Sequence, residues 1–201
     1  MDQFDDFRLF LPKYLSPDAE TALYEELRHY PDNIDKRMYS DPGQYGDLLN
    51  QGDGLRTALI VDLPAREFRD GPAMIVSNSC DLDIKNKRVA HRILYCPILP
   101  ISRYEDWYRQ RIGRDEPHLG SHLTSIRAQH VSSMFYLPTL NDSFPESVAL
   151  LDRVNNRDLK YYYELDNRRE RHFALSDYGF YMFLFKLSIY FTRVQEGFER
   201  S

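Results

Sequence analysis

The densest run of chemically versatile side chains is the segment Ser77–Asp83, which reads SNSCDLD directly after an apolar stretch. Loops at strand ends often carry function, because a rigid scaffold holds them in place. Cys80 would act as a nucleophile if a histidine or another cation acidified its thiol, and His91 is the nearest histidine in sequence. Asn78 and Asp81 can instead cap neighbouring backbone amides. The segment therefore predicts either a catalytic loop built on Cys80 and Asp81 or a structural turn.

Two cysteines and two histidines could together bind zinc. His118 and His122 have the spacing that places two ligands on one helix face, and Cys80 and Cys96 would complete a Cys2His2 site. The chain has no Cys-x2-Cys pair, and Gly120 between the histidines weakens the predicted helix. The alternative is that the thiols are ordinary small side chains and the histidines lie on the surface.

A third candidate site combines cations with aromatic rings, the components of a groove for single-stranded nucleic acid. Alternation along a strand would place Tyr161 and Tyr163 on one face and Tyr162 on the other. The alternative is a strand with two different faces followed by a solvated turn. The predicted nucleic-acid-binding residues are Lys160, Tyr161, Tyr163, Arg168, Arg169 and Arg171.

The composition limits the classes of partner. The 201 residues fit a single globular domain, and a net charge of −5 argues against a dedicated binder of duplex DNA. Residues 1–53 carry 5 basic and 12 acidic side chains, a net charge of −7, whereas the rest of the chain has a net charge of +2. The acidic segment is either a solvated face that seals the fold or an arm that covers a basic groove.

Cysteine usage and hydropathy indicate a cytoplasmic protein. Two cysteines in a chain of this length are expected to be reduced thiols, and the acidic start lacks the basic region of a signal peptide. The most apolar stretch, residues 178–191, is interrupted by Lys186 and is shorter than a bilayer requires. We therefore expect no membrane contact.

The pattern of apolar residues and turns predicts an α+β fold. Ser16 begins a helix that ends near Tyr30, and Ser176 begins a hydrophobic helix that ends near Glu196. Between them, short strands with close turns favour a small antiparallel barrel over residues 50–175. Residues 102–112 are predicted to form a surface helix or a long loop, and a short helix is predicted near 121–130. Strands are predicted near 57–61, 73–77, 89–96, 132–137, 148–151, 161–165 and 172–175. The expected organisation is an acidic helical segment over residues 1–50 and a barrel-like unit over residues 51–201.

Three short stretches together resemble a known family. They are Gly52-Asp53-Gly54, the run from Gly71 to Asn78 (GPAMIVSN) and the run from Ile93 to Ile98 (ILYCPI). They resemble the core of the PemK/MazF-like toxins, and the SNSCDL run is similar to bacterial and phage-associated proteins with a Ser-x-x-Cys-Asp-Leu signature. The resemblance implies a small SH3-like barrel with a C-terminal helix, usually dimeric, and members that cut single-stranded RNA without metal.

The family's catalytic residues do not fall in register. An Arg precedes the Pro of the second strand in the ribonucleases, whereas Gly71 stands there in this chain and Arg69 is the nearest arginine. The family's catalytic Thr or Ser falls at Leu99, and Ser102 follows three residues later. If the chain is a ribonuclease, the candidates are therefore Arg69 with either Ser102 or Asp81, and Cys80 is the candidate nucleophile of the loop.

Three functions follow from these observations. The first is a non-catalytic, PemK-like binding or regulatory protein of a bacterial or mobile-element system. The second is a metal-independent endoribonuclease toxin, and the third is a zinc-stabilised interaction module. Expected partners are single-stranded RNA and a protein, or a second copy of the chain, docked on the C-terminal helix; no cofactor is expected.

Overall fold

A computed structural model describes residues 18, 21–23, 25, 29, 34–41, 46, 48–62, 65–83, 85, 91–113, 116–164 and 171–192. In the predicted N-terminal helix, residues 18, 21–23 and 25 are helical, and Leu23 is buried in the core. That burial supports a sealing role for Leu23. The spacing of Ala19, Leu23 and Leu27 predicts one apolar stripe along this helix, and Ala19 and Leu27 lie outside the described residues.

The described part of the chain forms an antiparallel sheet flanked by helices, so the predicted α+β class is confirmed. The sheet order is β1-β8-β2-β3-β4-β6-β5, and β7 also pairs with β4. The strands are β1 (Tyr39–Ser40), β2 (Gly54–Asp62), β3 (Glu67–Ile75), β4 (Arg92–Pro100), β5 (Met134–Leu137), β6 (Ser147–Leu150), β7 (Asn155–Asp158) and β8 (Arg171–Leu175). The helices are α1 (Ile101–Ile112), α2 (Glu116–Arg127), α3 (Leu159–Glu164) and α4 (Asp177–Thr192).

Strand β4 is longer than its sequence pattern predicted, because Pro97 does not end it. One edge of β4 pairs with β3, and the other pairs first with β7, over Arg92–Tyr95, and then with β6, over Ile98–Pro100. Pro97, which has no N–H to donate, lies in the gap between these two pairings. One edge of β4 thus pairs with two different strands at successive positions along its length.

The sheet curls, but its backbone pairing does not close into the predicted barrel. Asn155 of β7 accepts a hydrogen bond through Oδ1 from the N–H of Val61 in β2 at 2.9 Å. The Tyr95 hydroxyl on β4 donates to the carbonyl of Leu59 in β2 at 2.6 Å. Side-chain contacts therefore join β2 to β7 and β4, where a closed barrel would have a continuous ladder of backbone hydrogen bonds.

Three apolar clusters hold the elements together. The first lies between the sheet and α4, the second inside the curl of β2, β3, β4 and α3, and the third between α1, α2 and the β5–β6 hairpin. The largest fully buried side chains are Tyr95, Phe135, Phe173 and Phe183.

The C-terminal helix α4 packs as its sequence predicted over most of its length. Ser176 accepts a hydrogen bond from the N–H of Gly179 at 3.2 Å, as an N-cap does. Phe183 and Leu187 are buried, whereas Phe180 and Leu184 are half-buried. Phe191, near the end of the helix, is 59% exposed. No described helix is both long enough and apolar enough to cross a membrane.

A glutamine covers the backbone of the last strand in the sheet order. The Gln129 side chain donates to the Tyr136 carbonyl at 2.8 Å and accepts from the Tyr136 N–H at 3.0 Å. It thus occupies backbone groups through which β5 could add another strand. The backbone carbonyl of Gln129 accepts a hydrogen bond from Nζ of Lys186, which ties this edge to α4.

The segment Tyr161–Leu165 was predicted to be a strand, and this prediction was wrong. Residues Leu159–Glu164 form helix α3. Asp158 accepts a hydrogen bond through Oδ1 from the N–H of Lys160 at 2.9 Å, which stabilises the first turn. The strand preference of three consecutive tyrosines is therefore overridden by a local cap and by the burial of Leu159 and Tyr162 in the second cluster.

Candidate functional site

The Ser77–Asp83 loop is held by hydrogen bonds at both ends. Ser77 Oγ accepts from the N–H of Leu94 in β4 at 2.7 Å. Asn78 Oδ1 accepts from the N–H of Cys80 at 2.9 Å, so the predicted capping role of Asn78 is confirmed. Leu82 is buried and anchors the loop in the second cluster, whereas Cys80 and Asp81 are exposed. The loop therefore presents a thiol and a carboxylate on a rigid base.

A second loop, residues 48–53, forms hydrogen bonds with the Ser77–Asp83 loop and with the end of the strand before it. The N–H of Gln51 donates to Ser79 Oγ at 2.9 Å, and its side-chain amide donates to the Val76 carbonyl at 2.8 Å. Gly52 next to it has a φ of +89°, a conformation that side-chain-bearing residues rarely adopt. The Gly52-Asp53-Gly54 motif thus shapes the loop that positions Ser79.

Arg171 was predicted to contact RNA, but the structure places it inside the protein. Its side chain is 6% exposed and forms an ion pair with Asp53, whose side chain is 2% exposed, with Nε 3.1 Å from Oδ2. The Arg171 guanidinium also donates to the carbonyls of Gly46 and Leu48. Arg171 therefore fastens the supporting loop to β8 and is not part of an open groove.

The Asp53 carboxylate shares this buried environment. Burial raises the pKa of Asp53 to about 6, while Arg171 and the Asn50 N–H act in the opposite direction. The Asn50 N–H donates to Asp53 Oδ2 at 2.9 Å. The ion pair is thus structural. Burying its charges costs solvation free energy, but the pair holds the loop in one geometry.

Helix α3 brings the predicted tyrosine segment next to the loop. The hydroxyl of Tyr163 donates to the carbonyl of Leu82 at 2.8 Å, and burial raises the pKa of Tyr163. Tyr161 is 37% exposed, and the guanidinium carbon of Arg157 lies 3.1 Å from the centre of its ring. Lys160 is exposed. Tyr161 and Tyr163 thus lie on a helix, one exposed and one half-buried, and not on one face of a strand.

The structure therefore joins two sites that the sequence suggested separately. Backbone hydrogen bonds connect the loop to β4 through Leu94, and α3 to the start of β4 through His91. We call the exposed side chains of this region the loop–helix surface; they are Asn78, Cys80, Asp81, Lys160 and Tyr161. Arg168 and Arg169, which were predicted to contribute, lie outside the described residues.

The four predicted catalytic residues do not converge. Arg69 lies opposite Ile60 in the β2–β3 hairpin, near the start of β3, and it is exposed. Cys80 and Asp81 follow the other end of the same strand. The seven residues from Arg69 to Ile75 alone span about 20 Å of extended chain. Ser102 lies in the first turn of α1, after β4, at the end opposite the loop.

The four predicted zinc ligands are not brought together either. Cys96 is fully buried on β4, and burial raises the pKa of its thiol to about 12. Cys80 is exposed on the loop, and His122 contacts the Tyr104 hydroxyl through Nε2 at 2.8 Å. Among the described residues, which include all four candidates, no three His, Cys, Asp or Glu side chains form a group that could hold a metal ion.

Sequence reasoning overlooked three structural features that the fold makes prominent. Asp53 had no visible partner in the sequence, because Arg171 comes from a distant strand. Lys186 was noted as an interruption in an apolar run, and it proves to be buried. Trp107 was not singled out, although Arg103, Trp107 and Arg111 have helical spacing in a segment predicted to be a surface helix or a long loop.

Comparison with protein-family models gives no match to the chain, and comparison with curated proteins gives none either.

Proposed function

We propose that this protein is a non-catalytic, PemK-like binding or regulatory protein of a bacterial or mobile-element system, acting in the cytosol on single-stranded RNA. The packing of β2, β3, β4 and α3 around one apolar cluster supports a small, incompletely closed SH3-like barrel as its core. The observation that carries the RNA assignment is the stacking of Arg157 on the exposed ring of Tyr161, with Lys160 beside it.

This arrangement has the chemistry that a single strand requires. Unpaired bases stack on aromatic rings regardless of sequence, and cations beside the ring neutralise the phosphates. Tyr161 is kept in place from two directions, because Arg157 lies over its ring and Tyr162 contacts its edge at a centroid distance of 5.7 Å. A pre-ordered ring loses little conformational entropy when a base stacks on it.

The separation of the candidate catalytic residues supports binding without cleavage. General acid–base chemistry requires the groups to lie within hydrogen-bond reach of one reacting centre. Arg69 and Ser102 lie towards one end of the sheet and Cys80 and Asp81 at the other. The two pairs therefore cannot act together on one reacting centre.

A direct test measures the fluorescence anisotropy of a labelled 12-nucleotide RNA with the protein and its Tyr161→Ala variant. Loss of one stacked base costs about 1–3 kcal/mol, so the dissociation constant should rise by roughly 5- to 150-fold. Binding should weaken as salt increases, because bound phosphates release counterions. The matched control is Phe68→Ala, which removes an aromatic ring that is 68% exposed on the β2–β3 hairpin. Equal affinity of the wild-type protein and Tyr161→Ala would contradict the proposal.

The same RNA, incubated with the protein and separated on a gel, distinguishes binding from cleavage. We expect intact RNA. Cleavage that disappears in the Arg69→Ala, Ser102→Ala double variant would instead establish the endoribonuclease alternative.

A further inference from the structure

A second cationic and aromatic surface lies on helix α1. Arg103, Trp107 and Arg111 are exposed and follow one another at intervals of four residues. Side chains at this spacing lie on one face of a helix, and the three span about 12 Å along its axis. Trp107 is 39% exposed, an unusual position for the largest apolar side chain. This face is not used by the site described above.

The acidic residues of α1 do not cancel this charge, because another arginine engages them. Arg109 lies 3.5 Å from Glu105 and 3.8 Å from Asp106, measured between charged atoms. It also lies 2.9 Å from Glu116 at the start of α2. Among the described residues, no ion pair involves Arg103 or Arg111. Helix α1 therefore separates its charges, with the carboxylates gathered around Arg109 and two guanidinium groups flanking the indole.

The indole of Trp107 rests on ordered aromatic groups. Its ring centre lies 5.7 Å from that of Tyr104, at an interplanar angle of 33°. The Tyr104 hydroxyl contacts His122 Nε2 at 2.8 Å, and Tyr108 stacks on the same imidazole at 5.4 Å. Since burial lowers the pKa of His122, its neutral imidazole can accept the hydrogen bond of the Tyr104 hydroxyl at neutral pH. Trp107 is thus a supported platform with part of its surface open to solvent.

The α1 surface lies on a path that leads to the loop–helix surface. Tyr104 of α1 packs in the third cluster with Leu150, the last residue of β6, and only the turn of residues 151–154 separates Leu150 from β7. Strand β7 begins two residues after Arg153 and carries Arg157, which stacks on Tyr161. Arg153 and Arg157 are four positions apart in the chain, so their Cα atoms are at most about 14 Å apart. A strand held at Tyr161 can therefore run along β7 towards Trp107.

We propose that Arg103, Trp107 and Arg111 form a second contact site for the same single-stranded RNA, with a base on the indole and phosphates on the two guanidinium groups. This inference rests on the proposed function and extends it, because it assigns the direction in which the strand leaves Tyr161. Single-stranded nucleic acid is favoured over an acidic peptide because an exposed, supported indole adds a stacking surface that carboxylates do not use.

The sole tryptophan of the chain provides the test, because a base stacked on Trp107 quenches its fluorescence. Titration of the wild-type protein with a 12-nucleotide RNA should quench the emission along the same curve as the anisotropy of the labelled RNA. The Arg103→Ala, Arg111→Ala double variant should bind on the order of 10-fold more weakly. Arg56→Ala, which removes an exposed arginine from β2, is the matched control and should change neither signal.

The outcomes separate this inference from the proposed function. If Tyr161→Ala weakens RNA binding measured by anisotropy, but RNA does not change the emission of Trp107 in the wild-type protein, the α1 site is overturned and the proposed function stands. Quenching that persists in Tyr161→Ala would support the α1 site even if the loop–helix surface proved inactive. Equal binding of poly-glutamate and RNA to α1 would identify an acidic-peptide site and overturn the inference.

Discussion

Replacing Lys186 with methionine should stabilise the protein and remove part of its pH dependence. Lys186 is 4% exposed on helix α4, within an apolar environment that includes Phe183 and Leu187. Its described partner is the backbone carbonyl of Gln129, and no ion pair among the described residues includes it. A buried ammonium with a carbonyl partner keeps much of its desolvation cost, whereas a methionine of similar length has none.

The magnitude follows from the shifted pKa. Burial lowers the pKa of Lys186 from 10.5 to about 8. Because the folded state releases this proton at lower pH than the unfolded state, the full cost of the buried charge is present below pH 8. Stability then rises as the pH increases from 8 towards 10.5, by about 1.4 kcal/mol per unit. Between pH 7 and pH 9 the wild-type protein should therefore gain about 1.4 kcal/mol relative to Lys186→Met.

Urea unfolding of both proteins at pH 7 and pH 9 measures this difference. At pH 7 the Lys186→Met variant should be more stable by about 1–3 kcal/mol, since it loses a charged hydrogen bond but no longer buries a charge. At pH 9 its advantage should shrink by about 1.4 kcal/mol. Lys85→Met is the matched control, because it makes the same replacement at an exposed lysine.

Two results would refute this reasoning. The first is an equal change in the free energy of unfolding of the wild type and Lys186→Met between pH 7 and pH 9. It would show that Lys186 does not release its proton in the folded state within this pH range. A variant that is less stable at pH 7 would show that the bond to Gln129 outweighs the desolvation of the ammonium.

Two further perturbations test the packing of α4 and the support of the loop. Gly179→Ala should destabilise the fold by about 1–3 kcal/mol in urea, because the added Cβ would lie 2.2 Å from the Met38 carbonyl oxygen. Gly120→Ala, with no atom within 4 Å of its added Cβ, should stabilise helix α2 by up to about 1 kcal/mol; the reverse order would contradict the structure. Arg171→Ala should cost about 3–5 kcal/mol in thermal or urea unfolding, since it leaves the Asp53 carboxylate buried without its cation. Adding Asp53→Ala should recover part of that loss, and a purely additive double variant would exclude the coupling.

The sequence by itself determined the elements whose residue types favour the conformation that they adopt in the structure. Apolar runs near residues 57–61 and 73–77 correspond to β2 and β3, although both strands are longer than the runs. Ser176 predicted the start of α4, because an N-cap acts through backbone groups within a few residues. The Ser77–Asp83 loop was likewise recognisable, since polar residues that follow a buried strand must leave the core.

Only the tertiary structure decided which distant side chains meet. Arg171 looked like a surface cation until β8, pairing with β2, placed it against Asp53. Lys186 looked like an interruption in an apolar helix until the turn at Gln129 placed a carbonyl beside it. Tyr163 reached the loop because a cap at Asp158 began a helix where the residue types favoured a strand. Residue types and spacing determine local conformation, but contacts between distant residues depend on how the whole sheet pairs and curls, which no local pattern encodes.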